Sequence, residues 1–216
     1  MQSQLDIWPC HPHPLPDELL TCWLVRIAHA HQLKVQSFCH QVFGPNKQIW
    51  NRDIDRLAPL WVMDKLSKQT STPAFLAQET TLAHYRDRLY TRHRSSGTLQ
   101  WILPLEMWHR KHMGHGLQYC PRCLAEGSTP YYRRRWRVAL YTVCAKHNCM
   151  MKDRCPACGA GVAFHRTEQG RYEAGDLGTL SLCHACGYDL KTADCTEPEI
   201  YDPDSFGMLN SILTRL

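Results

Sequence analysis

No stretch of about 18 consecutive apolar residues occurs in this 216-residue sequence, so no transmembrane helix is expected. The first residues, MQSQLDIWPCHPHPLP, lack a basic segment followed by an apolar one. A secretory signal is therefore not expected, and a reducing cytosol is the expected compartment. The motifs of several enzyme classes are missing as well. There is no H-E-x-x-H of a zinc protease and no G-x-x-x-x-G-K-[ST] phosphate loop. There is no G-x-S-x-G elbow, and no H-x-E, which the zinc deaminases need upstream of P-C-x-x-C. No repeat of solenoid length is evident. Nothing in the spacing of the thirteen histidines and twelve cysteines pairs a nucleophile with a base, so no catalytic residue is assigned.

What is present is an ordinary globular composition, 44% hydrophobic and 21% charged, long enough to bury a core without help from disulfides. Twelve cysteines in a reducing compartment point instead to metal or redox chemistry. The net charge of +5 conceals an asymmetry. Residues 1–83 are neutral, 84–154 carry +10 and 155–216 carry −5. A dense basic middle suggests an anionic partner, nucleic acid first, and the acidic final third suits a basic protein face.

The pattern predicts a mainly α protein with small zinc-binding modules. Asp17 is a candidate N-cap for a helix with Leu20, Trp23, Leu24, Ile27 and Ala28 on one face. A short helix fits Gln36 to Phe43 and ends at Gly44-Pro45-Asn46. Pro59 opens a helix carrying Leu60, Trp61, Val62, Met63 and Leu66. After Thr70-Ser71-Thr72, Thr72 caps a further helix with Pro73 at its first position, running to about Ala77 with Phe75 and Leu76 as its apolar residues. This order is compatible with a helix-turn-helix, and equally with a packing module. Residues 84–97 read as a basic connector, helical as far as Tyr90. The boundary therefore divides an N-terminal helical, helix-turn-helix-like domain (1–97) from a double zinc-finger or zinc-ribbon domain with a short C-terminal segment (98–216).

Four spaced pairs dominate the second half: Cys120 with Cys123, Cys144 with His147, Cys155 with Cys158, and Cys183 with Cys186. A two-residue gap lets one knuckle aim two side chains at a single ion, and two knuckles complete a tetrahedron suited to Zn²⁺. The sequential partition gives two ions, one on Cys120, Cys123, Cys144 and His147, the other on Cys155, Cys158, Cys183 and Cys186. A cross-braced partition is the alternative, and Cys149 is an alternative to His147. Gly159 and Gly187 follow their knuckles as a tight turn prefers, and His184 is expected to face solvent. Cys10, Cys22, Cys39 and Cys195 have no paired spacing, and Cys22 reads as a core residue. Both sites are closed by four ligands, which suits a structural ion rather than a catalytic one.

Between the halves of the first site lies Tyr131-Tyr132-Arg133-Arg134-Arg135-Trp136-Arg137. If it opens a helix, Trp136, Leu140 and Val143 line the inner face, and Arg133, Arg134, Arg135 and Arg137 point away, free for phosphates, base edges or an acidic protein. A solvated charge run is the alternative. Arg110 and Lys111 extend this surface, and Arg86, Arg88, Arg92 and Arg94 form a second cluster.

The run Tyr119-Cys120-Pro121-Arg122-Cys123-Leu124, Pro130-Tyr131-Tyr132-Arg133, Trp136-Arg137, Cys144, His147 and Cys155-Pro156-Ala157-Cys158-Gly159 resembles the TniQ family. So do Leu15-Pro16-Asp17-Glu18-Leu19-Leu20 with Trp23-Leu24 and Arg26-Ile27-Ala28, Asp53-Ile54-Asp55-Arg56-Leu57, and more loosely Thr80 to Tyr85. Cys22 stands before Trp23 where the family pattern has Ser. The resemblance covers roughly residues 12–190 and implies a target-selection protein of transposons that have an AAA+ regulator ATPase. Longer relatives of the TnsD kind add a large C-terminal region. With about 30 residues after Cys186, the expectation is the short form, which is associated with CRISPR-guided transposition.

The resemblance then implies a non-enzymatic adaptor between an RNA-guided effector complex and the ATPase, with contacts to DNA and guide RNA, no membrane partner, and a homodimer as a compatible state. A protein that reads an attachment site directly is the rival expectation.

Overall fold

The computed structural model describes residues 7–47, 49–94, 97–105, 107–108, 111–112, 116–168, 179–199 and 211. Among these the chain is mostly helical, and no helix is long and apolar enough to cross a membrane. The helices are α1 (Leu20–Ala30), α2 (Val35–Phe43), α3 (Ile54–Leu57), α4 (Leu60–Thr70), α5 (Ala74–Glu79) and α6 (Pro121–Ala125). Two antiparallel ribbons join them, β1 (Met107–Trp108) with β2 (Lys111–His112) and β3 (Val143–Cys144) with β4 (Cys149–Met150).

α1 is the central element. Leu20, Cys22, Trp23, Leu24, Val25, Ile27 and Ala28 are all fully buried, so the helix is apolar nearly all round, as a helix in the middle of a core must be. Its first N–H groups have no partners within the helix, and Asp17 does not supply them. Asp17 sits at φ +60° with its carboxylate turned to Arg134 and Arg135. Instead, Leu20 N–H donates to the Thr80 carbonyl (2.8 Å) and Thr21 N–H to Asp55 Oδ1 (2.8 Å).

α2 is capped from even farther away. Glu168, buried, accepts from Val35 N–H (2.7 Å) and meets His29 Nε2 (3.0 Å). A carboxylate there also favours the positive end of the helix. Glu168→Ala strands that N–H in the core, and a loss of about 1–3 kcal/mol is expected from urea unfolding. A loss below a few tenths would show that water replaces the carboxylate.

α4, a turn with Ser71 at φ +54°, and α5 follow in the expected order. Pro73 occupies the N-cap of α5, and Thr72 does not cap it: its hydroxyl bonds Thr70 Oγ1 (2.7 Å) and His13 Nδ1 (2.9 Å). Val62, Met63 and Leu66 are buried, whereas Leu60, Trp61, Phe75 and Leu76 remain exposed. α5 carries no Lys or Arg, so its exposed residues, Phe75, Leu76, Gln78 and Glu79 among them, present no cation.

The core does not stop at residue 97. Tyr132 N–H donates to Cys22 Sγ (3.2 Å), Tyr132 stacks on Phe164 (4.5 Å between centroids), and Glu18 bridges to Arg133. The helical half and the cysteine-rich half close over one continuous cluster of buried side chains.

Candidate metal centres and the arginine segment

Cys120 stands at the N-cap of α6 and Cys123 lies within it; Pro121 at the first position lets the chain turn directly from ligand to helix. Cys144 ends β3, and His147 lies in the turn before β4. These elements bring four donors together. His147 Nδ1 is 3.5 Å from Cys120 Sγ, 3.3 Å from Cys123 Sγ and 3.6 Å from Cys144 Sγ, and Cys123 Sγ is 3.6 Å from Cys144 Sγ. A tetrahedral ion with metal–sulfur bonds near 2.3 Å and a metal–nitrogen bond near 2.1 Å has edges of about 3.8 and 3.6 Å. The donor set therefore has the size such an ion requires. On the far side of the ring, His147 Nε2 meets Glu126 Oε1 at 2.9 Å, and Lys146 meets the same oxygen at 2.6 Å. That carboxylate holds the imidazole with Nδ1 facing the sulfurs.

The second tetrad is Cys155, Cys158, Cys183 and Cys186. Cys155 and Cys186 sulfurs are 3.7 Å apart, and those of Cys158 and Cys183 are 3.6 Å apart. Its two knuckles have one hydrogen-bond pattern. Cys155 N–H donates to the Ala160 carbonyl and Gly159 N–H to the Cys155 carbonyl; Cys183, Tyr188 and Gly187 repeat it, at 2.8 and 2.9 Å in both. Gly159 (φ +72°) and Gly187 (φ +76°) make the left-handed step that closes each turn. In the Cys144–His147 knuckle the same step falls to Asn148 (φ +47°), whose N–H donates to the Cys144 carbonyl at 2.8 Å. The structure thus groups the eight donors sequentially, not cross-braced, and both tetrads can hold a metal ion.

Cys149 is not a ligand. It forms a disulfide with Cys195, one of the cysteines without paired spacing, and so ties β4 to the chain after the Leu190–Thr192 turn. Cys22 lies fully buried, as expected of a core residue. Burial pushes the Cys39 thiol up to about 12. His184 is half-buried rather than turned to solvent, and burial lowers its pKa.

The arginine segment differs most from expectation. Residues 134–137 form a single 3-10 turn, not a longer helix. In such a turn residues i and i+3 eclipse, so Arg134 and Arg137 both point inward. Arg137 is fully buried, with Nη2 donating to Asp53 Oδ2 (2.6 Å) and to the Leu103 carbonyl (2.9 Å), and Nη1 lies 3.6 Å from Asp55. Arg134 is buried against Glu79 (3.4 Å) and Asp17 (3.5 Å). Arg135 pairs with Asp17. Arg133 lies over the rings of Tyr131 (4.7 Å) and Trp136 (5.1 Å), with Glu126 at 3.8 Å. Trp136 is core, as expected.

The expectation that these four arginines form a free surface is therefore corrected. Acidic residues of the first half engage three of them, and Arg133 is mostly enclosed. The segment charge of +10 hid this because the neutralising carboxylates belong to another part of the chain. Arg110 lies outside the described residues, and only the backbone of Lys111 is described, in β2. Arg86, Arg88, Arg92 and Arg94 are exposed, with Arg88 Nη1 2.8 Å from His84 Nε2. Glu126 and Glu168 carry no pattern in the sequence that marks them out; each matters through a neighbour distant along the chain.

The family model of TniQ matches residues 9–151, a span that takes in all of the first tetrad and stops before the second. No curated protein matches the chain.

Proposed function

The chain belongs to the TniQ family, which implies target selection in transposition, and from that premise we propose that it acts as a non-enzymatic adaptor between an RNA-guided target complex and an AAA+ transposition regulator. The match over 9–151 carries this reading, and the character of the two tetrads supports it. Each has four protein donors, and four protein ligands would leave no open position for substrate, which suits structural Zn²⁺. In the first site Cys120, Cys123, Cys144 and His147 would hold the ion, and in the second Cys155, Cys158, Cys183 and Cys186. Zinc bound there would supply cross-links that keep short loops rigid.

A rigid body with several exposed faces suits a molecule whose work is to hold two others. Binding both at once raises their effective concentration at the target without any new contact between them.

The test is co-expression of the tagged full chain with its genomic neighbours, followed by nuclease treatment and identification of what co-purifies. Recovery of an RNA-guided complex together with an AAA+ ATPase is the expected result. Recovery of neither, with tight binding of the isolated protein to one particular duplex, would replace the adaptor with a direct reader of an attachment site.

A further inference from the structure

Residues 90–92, Arg94 and residues 98–102 line an open trough of about 590 Å³. Its floor is made of Tyr90, Leu99 and Ile102, all buried. Its rim carries the exposed guanidinium groups of Arg92 and Arg94 and the indole of Trp101, which is 46% exposed. Among the described residues that line it, none is acidic. Two other concavities among the described residues combine arginine with a carboxylate, Asp17 beside Arg133 and Arg135, and Glu79 beside Arg86.

Both walls are held by the fold. Arg56, buried, donates from Nε (2.9 Å) and Nη2 (2.6 Å) to the Arg94 carbonyl and from Nη1 (2.6 Å) to the Gly97 carbonyl. Three bonds from one side chain hold the backbone at Arg94 and at Gly97. The opposite wall is pinned where Ala139 N–H donates to the Trp101 carbonyl (2.8 Å) and Ile102 bridges to Val138. Trp101 itself sits at φ +60°, a conformation that a bulky aromatic residue rarely adopts. A strained residue persists only where its surroundings hold it, and such residues gather at working surfaces. Here the residue so held carries a large flat ring at the surface of a basic trough.

We propose that this trough binds a single strand of nucleic acid, with phosphates on Arg92 and Arg94 and one unstacked base against the Trp101 indole. Guanidinium groups that follow a backbone beside an aromatic ring are the two elements that sequence-tolerant binding of a strand requires. A duplex keeps its base faces covered and has none to offer the indole. An acidic protein would match the cations but leave the ring without a flat partner. The proposal goes beyond the adaptor reading and does not depend on it.

The full-length, zinc-loaded protein is titrated against a fluorescein-labelled single-stranded DNA of mixed sequence, about 16 nucleotides long, against RNA of the same sequence, and against the matching duplex. Single strands are expected to bind more tightly than the duplex. Trp101→Gly removes the ring at a backbone angle glycine adopts freely, so thermal stability should hold or rise while single-strand affinity falls about tenfold. Trp101→Phe should retain most of the binding. Arg92→Gln with Arg94→Gln should reduce the slope of log affinity against log salt by about 1.4.

The proposal is overturned by duplex binding tighter than single-strand binding, by no single-strand binding at micromolar protein, or by variants that bind as the wild type does. It is also overturned if these variants weaken binding to a poly-glutamate peptide and leave nucleic-acid affinity unchanged, which would assign the trough to an acidic protein. Because these titrations use the isolated chain, the trough can fail while the co-purification succeeds, and the reverse.

Discussion

Cys123→Ser and Cys158→Ser are each expected to lower bound zinc from two ions to one, and a chelator should strip the second tetrad of the wild type before the first. The order follows from burial. Cys120, Cys123 and Cys144 are all buried in the common core, whereas Cys158 and Cys186 are exposed. A chelator can reach the second site without opening the fold. Reaching the first requires moving α6 away from the Leu190–Thr192 turn against which it packs.

Ion binding in sites of this type contributes roughly 10–16 kcal/mol at neutral pH, at least as much as the usual net stability of a domain, about 5–15 kcal/mol. Loss of the first ion should therefore abolish cooperative unfolding of the whole chain, because its ligands share a core with α1. Loss of the second should melt the two knuckles around Cys155–Cys158 and Cys183–Cys186 and leave the helices folded. Zinc release to a chromogenic chelator, followed beside near-ultraviolet circular dichroism, reads both events. A Cys158→Ser protein with two bound ions and unchanged unfolding would refute a structural role for that tetrad.

Arg137→Met should cost about 3–5 kcal/mol at pH 8 and distinctly less at pH 5.5. Arg137 is a buried cation facing two carboxylates, Asp53 and Asp55, of which Asp55 is fully enclosed. Burial pushes the Asp55 carboxyl up to about 7, the charge of Asp53 adds to the rise, and Arg137 and the Thr21 hydrogen bonds oppose it. In the unfolded chain Asp55 ionises near pH 4. The raised value therefore favours the folded state fully below about pH 4, and that contribution is lost as pH rises through 7.

Removing Arg137 withdraws the charge that opposes the rise, so Asp55 holds its proton to still higher pH, and the penalty for ionising it is felt above neutrality. Adding Asp53→Asn, which keeps a side-chain oxygen to cap α3, should return part of the loss. Urea unfolding at the two pH values checks this. An equal loss at both would mean that packing of the guanidinium, not its charge, is what the core needs.

The helices α1, α2 and α4 were legible because burial there follows the helical period, so Trp23, Leu24 and Ile27 announce a buried face without reference to anything distant. The ends of the helices were not. Asp17 has the right chemistry for an N-cap and lies three residues before α1, but the partner that won it was Arg135, 118 positions later. Likewise, the cap of α2 comes from Glu168, 133 residues beyond Val35. Single-segment reasoning also misjudged Arg134 and Arg137. A run of four arginines reads as a binding surface until Asp53, Asp55 and Glu79 are brought against it.

The amino-acid order alone determined the two metal tetrads, because a two-residue knuckle gap is local geometry, closed in the second tetrad by the glycines that follow it, and the sequential grouping needs only that neighbouring knuckles meet. It also determined the family, through motifs spread over both halves. Tertiary structure alone decided which charges are spent inside the protein and which remain outside. An ion pair depends on where the chain returns in space. Arg137 was consumed by Asp53, 84 residues away, while Arg92 and Arg94, no more basic by composition, were left on the rim of a trough beside Trp101.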